Sequence, residues 1–117
     1  MNIVYLEDNP DDAKLVSRYM KTTTHDLRIV DNLDDAINAL DYNTDLIMVD
    51  VVIGFARDGL RLARTLREQG FDKPIVAITA LTTPDAIDQC YQNGFDHVLN
   101  KPFGVSQLAE MISYYAN

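Results

Sequence analysis

Short apolar runs alternate along this chain with stretches whose apolar residues recur at helical spacing. Ile3-Val4-Tyr5-Leu6, Leu46-Ile47-Met48-Val49 and Ile75-Val76-Ala77-Ile78 are continuous runs, the form parallel strands take when helices cover both faces. Leu27-Arg28-Ile29-Val30 and Val98-Leu99-Asn100 read as two further strands. Asn9-Pro10 predicts the start of the first helix, with Asn9 as cap, Pro10 in the first turn and Asp11-Asp12 favouring the positive helix end. Its apolar positions are Ala13, Leu15, Val16, Tyr19 and Met20. Asn32 is read as the cap of a second helix carrying Ala36, Ile37, Ala39 and Leu40. Asp58 is read as the cap of a third, which holds Leu60, Leu62, Ala63 and Leu66 and ends near Gly70. Thr83-Pro84-Asp85 opens a fourth helix that Gly94 can close in a left-handed cap. Val105, Leu108, Ala109, Ile112 and Tyr115 mark a fifth after Gly104.

This alternation predicts an α/β fold, (βα)5, with a doubly wound parallel sheet of flavodoxin-like type. Right-handed crossovers favour the strand order 2-1-3-4-5, which sets the first strand beside the third. In such sheets ligands bind outside the carboxyl ends of the strands. Here those ends carry Glu7-Asp8, Asp50, Thr79 and Lys101.

Composition narrows the function classes. A chain of 117 residues, 47% hydrophobic and 24% charged, suits one globular domain spanning 1–117, with no output domain visible. A net charge of −8 argues against direct binding to a nucleic-acid backbone. No apolar stretch approaches membrane-spanning length, and no signal peptide is evident at the amino terminus. One cysteine, Cys90, cannot form an internal disulfide, which suits a cytoplasmic location.

The strand-end residues suit phosphoryl chemistry. Asp8 and Asp50 are the candidate direct ligands of a divalent cation, with Glu7 acting through a bound water and the Val52 carbonyl completing the set. Clustered carboxylates repel one another unless a cation or proton relieves them. Mg2+ suits such an oxygen site because it keeps several waters and accepts a phosphate oxygen; Mn2+ is the expected substitute. Asp50 is the candidate nucleophile, since a carboxylate can form an acyl phosphate. Lys101 and Thr79 are placed to share charge on the transferring group. Pro102 after Lys101 predicts a cis peptide that turns the lysine back over the sheet edge. Any one of these residues alone is an ordinary turn, cap or surface residue; the combination is specific.

Glu7-Asp8, Asp50, Thr79-Ala80 and Lys101-Pro102-Phe103 resemble the marker residues of response-regulator receiver domains. The spacing between these markers and the opening Glu7-Asp8-Asn9-Pro10-Asp11-Asp12 are also similar to that family, and the resemblance spans essentially the whole chain. It implies phosphotransfer to Asp50 from a phosphohistidine on a histidine kinase or histidine phosphotransfer protein, with Mg2+ required. It further implies a switch rather than an enzyme that turns over a metabolite. A downstream target or output domain is expected through the fourth helix, fifth strand and fifth helix, where Met111 and Tyr114 are the expected exposed anchors; a homodimer through that face is compatible. The sequence departs from the family in three ways. Residues 51–59 run one residue long, with Gly54 where proline is common. Val98 stands where an aromatic switch residue is frequent. Val52 and Leu81 are apolar where polar residues often guide an attacking water, which predicts a long-lived acyl phosphate.

Three other readings fit less well. An aspartate-nucleophile phosphatase commonly has a second Asp two residues after the nucleophile, where this chain has Val52. A flavodoxin-like cofactor binder needs a better phosphate cradle than Asn9-Pro10-Asp11-Asp12. An interaction module regulated without phosphorylation keeps no need for the full set of Glu7, Asp8, Asp50, Thr79 and Lys101.

Overall fold

A computed structural model describes residues 1–53 and 58–117; the expectation concerning Gly54 falls outside the described residues. Strands β1 (Asn2–Leu6), β2 (Asp26–Val30), β3 (Leu46–Asp50), β4 (Ile75–Thr79) and β5 (His97–Asn100) alternate with helices. The helices are α1 (Pro10–Met20), α2 (Leu33–Ala39), α3 (Asp58–Glu68), α4 (Pro84–Gln92) and α5 (Val105–Ala116). All strand pairs are parallel, in the order β2-β1-β3-β4-β5 expected from the sequence.

The continuous apolar runs follow from burial on both faces. Ile3 and Tyr5 of β1, Leu46 and Met48 of β3, and Val76 and Ile78 of β4 pack with Val16 and Met20 of α1 and Leu108, Met111 and Ile112 of α5. The alternate residues, Val4 and Leu6, Ile47 and Val49, Ile75 and Ala77, pack with α2, α3 and α4. Alternation along each strand therefore feeds two cores, α1 and α5 covering one and α2 to α4 the other. β2 and β5 form the sheet edges and are correspondingly more exposed.

Local chemistry sets the helix ends. Asn9 accepts from the Asp11 and Asp12 amides at 2.9 and 3.2 Å, Asn32 from Asp35 at 2.9 Å, and Thr83 from Ala86 at 3.2 Å. Gly94 follows α4 at φ 101°, the left-handed conformation that favours glycine. Asp58 is the first residue of α3 rather than its cap. The Lys101–Pro102 peptide is cis.

One expectation about α5 is corrected. Met111 is 3% exposed, packed in the core, while Val105, assigned to the buried stripe, is 53% exposed. The buried face runs through Leu108, Met111, Ile112 and, in part, Tyr115, which is i, i+3, i+4, i+7 spacing. Starting that stripe at Val105 rotates the face and turns Met111 outward in error. Among the described residues, no helix is long and apolar enough to cross a membrane.

Candidate functional site

Register brings the strand-end residues together. Leu6 pairs with Val49, Asp50 with Ile78, and Thr79 with Asn100. Glu7, Asp50, Thr79 and Lys101 therefore leave adjacent strands at one edge. Backbone bonds continue the pairing to this edge: the Glu7 amide donates to Val30, Val51 to Ile78, and Lys101 to Thr79, at 2.8–3.0 Å.

Lys101 is the centre of the cluster. Its ammonium donates to Glu7 Oε1 at 2.7 Å and to Asp50 Oδ2 at 3.2 Å, and pairs with Asp12 Oδ2 at 2.9 Å. Burial works against its charge, but the Glu7, Asp12 and Asp50 carboxylates outweigh that and raise its pKa. Asp50 is buried, and the Val52 amide donates to its Oδ1 at 3.1 Å. Thr79 is buried too. Its Oγ accepts from the Leu81 amide at 3.0 Å, which leaves the hydroxyl proton to donate.

Glu7 is the most constrained acid. Burial and the adjacent Asp50 carboxyl push its pKa up to about 9 against the pull of Lys101. Its Oε2 is buried with no hydrogen-bond partner, as is the hydroxyl of Tyr5, two residues earlier on the same strand face. Asp8, the next residue, is exposed. Among the described residues, no group of three His, Cys, Asp or Glu side chains is arranged to hold a metal ion. Of the expected metal set, Glu7 and Asp50 meet at Lys101, and the Val52 amide bonds the Asp50 carboxylate. The chemistry of the donors nevertheless suits a hard cation: they are oxygens, and Glu7 Oε2 is buried without a hydrogen-bond partner.

Three residues of the site escaped the sequence reading. Asp12 was read as a helix-terminus charge and as part of the Glu7–Asp12 opening, not as a partner of Lys101, with which it pairs at 2.9 Å. For Asp12, burial raises the pKa but hydrogen bonding to Lys101 and Glu7 lowers it overall. Asn100 Nδ2 donates to the Thr79 and Leu81 carbonyls at 3.2 and 3.1 Å, tying the end of β4 to β5. Gly59 lets α3 approach β3: a Cβ there would stand 2.5 Å from the Asp50 carbonyl oxygen and 2.7 Å from Val51 Cα. An asparagine beside the lysine and a glycine after an acidic residue were the available signals. Val98 is partly buried against the α2–α4 side of the sheet.

Comparison with known proteins bears on the family and the fold. The family model for the response regulator receiver domain matches residues 3–113. Sensor histidine kinase RcsC of Salmonella typhi is 27% identical over 117 residues, 99% of this chain but 12% of that protein. Heme response regulator HssR of Staphylococcus saprophyticus is 29% identical over 104 residues, covering 88% of this chain and 46% of that protein. The chain thus spans half or less of the length of these two relatives. A response regulator receiver protein from Pseudoalteromonas atlantica superposes with a TM-score of 0.91, covering 100% of this chain and 98% of that one. At 13% identity that likeness bears on the fold alone. With all but the ends of its sequence matched, the chain belongs to the response regulator receiver domain family of two-component signalling.

Proposed function

We propose that this receiver domain is a phosphoacceptor switch. Asp50 takes a phosphoryl group from a phosphohistidine on a histidine kinase or histidine phosphotransfer protein, and phosphorylation changes partner binding. The observation that carries this reading is the meeting of Glu7, Asp50 and Lys101 at adjacent strand ends, with the ammonium 3.2 Å from Asp50 Oδ2. One Asp50 oxygen attacks phosphorus, the donor P–N bond breaks, and the imidazole leaves with the bonding pair. The Val52 amide holds Asp50 Oδ1, which fixes the carboxylate's orientation. Lys101 shifts a donor to a phosphoryl oxygen, and the Thr79 hydroxyl donates to another. Glu7, Asp8, Asp50 and the Val52 carbonyl are the residues assigned to Mg2+, or Mn2+, which when bound supplies positive charge at the phosphoryl oxygens. Such a protein is a cytoplasmic switch rather than an enzyme with a metabolite substrate.

The readout face is what the family resemblance implies, and chain continuity is compatible with it. Thr79 leads into α4, and Lys101 joins β5 to α5, so a change at either residue acts on the ends of these elements. The α4–β5–α5 surface is accordingly assigned to a downstream partner, an output domain or a second copy.

Intact-mass measurement after incubation with acetyl phosphate and Mg2+ tests the chemistry. One phosphoryl group on Asp50 is expected, with none after chelation of the metal and none in Asp50→Asn. Stoichiometric acid-labile labelling of Asp50→Asn at another position would overturn the assignment.

A further inference from the structure

Lys101 has three N–H donors and three acidic side chains as partners: Glu7 Oε1 at 2.7 Å, Asp12 Oδ2 at 2.9 Å and Asp50 Oδ2 at 3.2 Å. A phosphoryl group arriving at Asp50 needs one of those donors. The partners are unequal. The Glu7 side chain is 0% exposed and that of Asp50 8%, whereas that of Asp12 is 37% exposed. Glu7 and Asp50 belong to the strand ends, but Asp12 reaches the ammonium from the first turn of α1. It brings a negative charge to the same cation that the anionic phosphoryl group must use.

We infer that Asp12 is a brake on loading, a resident anion that competes with the incoming phosphoryl group for Lys101. The inference rests on the phosphoacceptor reading of Asp50 and adds a control on that same site. Asp12 touches none of the reacting atoms; it is a positioning residue that acts through the lysine. The effect falls on loading because Lys101 must be shared or released as the phosphoryl group enters. Once the aspartyl phosphate is formed, that exchange has already taken place, so the subsequent decay is much less sensitive to Asp12.

The test compares the wild-type chain with Asp12→Asn and Asp11→Asn, using acetyl phosphate and Mg2+. Asparagine keeps the side-chain shape and an oxygen that can accept from Lys101, but removes the charge. Asp11 is exposed on the same turn and is not among the ion-pair partners of Lys101, so Asp11→Asn makes the same charge change without relieving the competition. Asp12→Asn should load roughly two- to fivefold faster, the range a partly exposed ion pair supports. Its decay rate after donor removal should change much less, and Asp11→Asn should load like wild type. Salt should narrow the gap by screening Asp12. Asp12→Ser, neutral and shorter, should act in the same direction. Unchanged or slower loading in Asp12→Asn, equal acceleration in Asp11→Asn, or a gap indifferent to salt would each overturn the brake while wild-type labelling of Asp50 stands. Failure of the wild type to label at Asp50 would instead remove the reading beneath it.

Discussion

Glu7 illustrates how a single side chain can be kept at the expense of fold stability. Its ordinary pKa of 4.5 is pushed up to about 9, first by burial and then by the neighbouring Asp50 carboxyl. Between those values the unfolded chain ionises Glu7 while the folded protein holds its proton. The folded state binds more protons there, so the Glu7 contribution to stability falls as pH rises across that window. Glu7→Gln keeps an acceptor for Lys101 and removes the titration. In metal-free buffer it should stabilise the protein on the order of 1–3 kcal/mol at neutral pH, with a smaller gain near pH 5. Thermal melts of both proteins across this range check it, and a gain constant with pH would contradict the account. The same scale governs the lifetime of the modified state. Hydrolysis needs a water held in line behind the phosphorus, and Val52 and Leu81 have no side-chain group to hold one. Val52→Asn with Leu81→Gln should accelerate dephosphorylation by about one to two powers of ten, each requiring only about 1.4 kcal/mol. Decay of the phosphorylated wild type and the double variant, followed without a phosphatase, measures it. Rapid loss from the wild type that is no faster in the variant would defeat the argument.

At the scale of elements, what was legible depended on whether its cause was local. The caps at Asn9, Asn32 and Thr83 could be read because a side chain and an amide two or three residues apart decide them. Three central strands could be read because burial on two faces leaves a continuous apolar run. Glu7, Asp50, Thr79 and Lys101 could be placed together because each ends or follows a predicted strand, and strand order sets those strand ends side by side. The phase of α5 was harder: Val105, Met111 and Tyr114 are all apolar or aromatic, and packing against Tyr5, Met48 and Ile78 decides which turn inward. Asp12 was invisible for a related reason, since its pairing with Lys101 joins α1 to the β5–α5 turn across most of the sequence. Arg67 makes the same point away from the pocket. It reaches from α3 to the carbonyls of Gly94, Phe71 and Lys73 and to Asp96 Oδ2, which also accepts from the Ile75 amide. One guanidinium thereby ties the end of α3 to the entrances of β4 and β5, at the end of the sheet opposite the carboxylates. No sequence pattern announces such a clamp, because its partners are mostly backbone carbonyls that every residue carries.

For the whole molecule, the fold sets a two-sided core behind one edge where charge is gathered, and the proposed readout surface lies on α4, β5 and α5. Asn100 bonds the carbonyls of Thr79 and Leu81, so the exits of β4 and β5 are joined directly beside the pocket. Beyond them, Tyr91 of α4 is 51% exposed and Tyr114 of α5 is 74% exposed. Tyr114 packs edge-on against Tyr115 at 4.9 Å, and Tyr115 packs likewise against His97 of β5 at 6.2 Å. Aromatic side chains with one apolar body and one polar tip suit a contact that forms and dissolves with the state of the pocket. Met111 is unsuited to testing this surface, since a charge there enters the core between the sheet and α1 and α5 and destabilises the fold. Tyr91→Glu and Tyr114→Glu change the exposed face without entering that core. Each should leave the rate of Asp50 labelling nearly unchanged. Each should also weaken phosphorylation-dependent association, with a second copy or a partner, by roughly tenfold, about 1.4 kcal/mol of lost contact. Sedimentation of the variants before and after treatment with acetyl phosphate, together with binding to the cognate partner, measures both quantities. If association were identical to wild type in both phosphorylation states, the switch would have to be read through another surface.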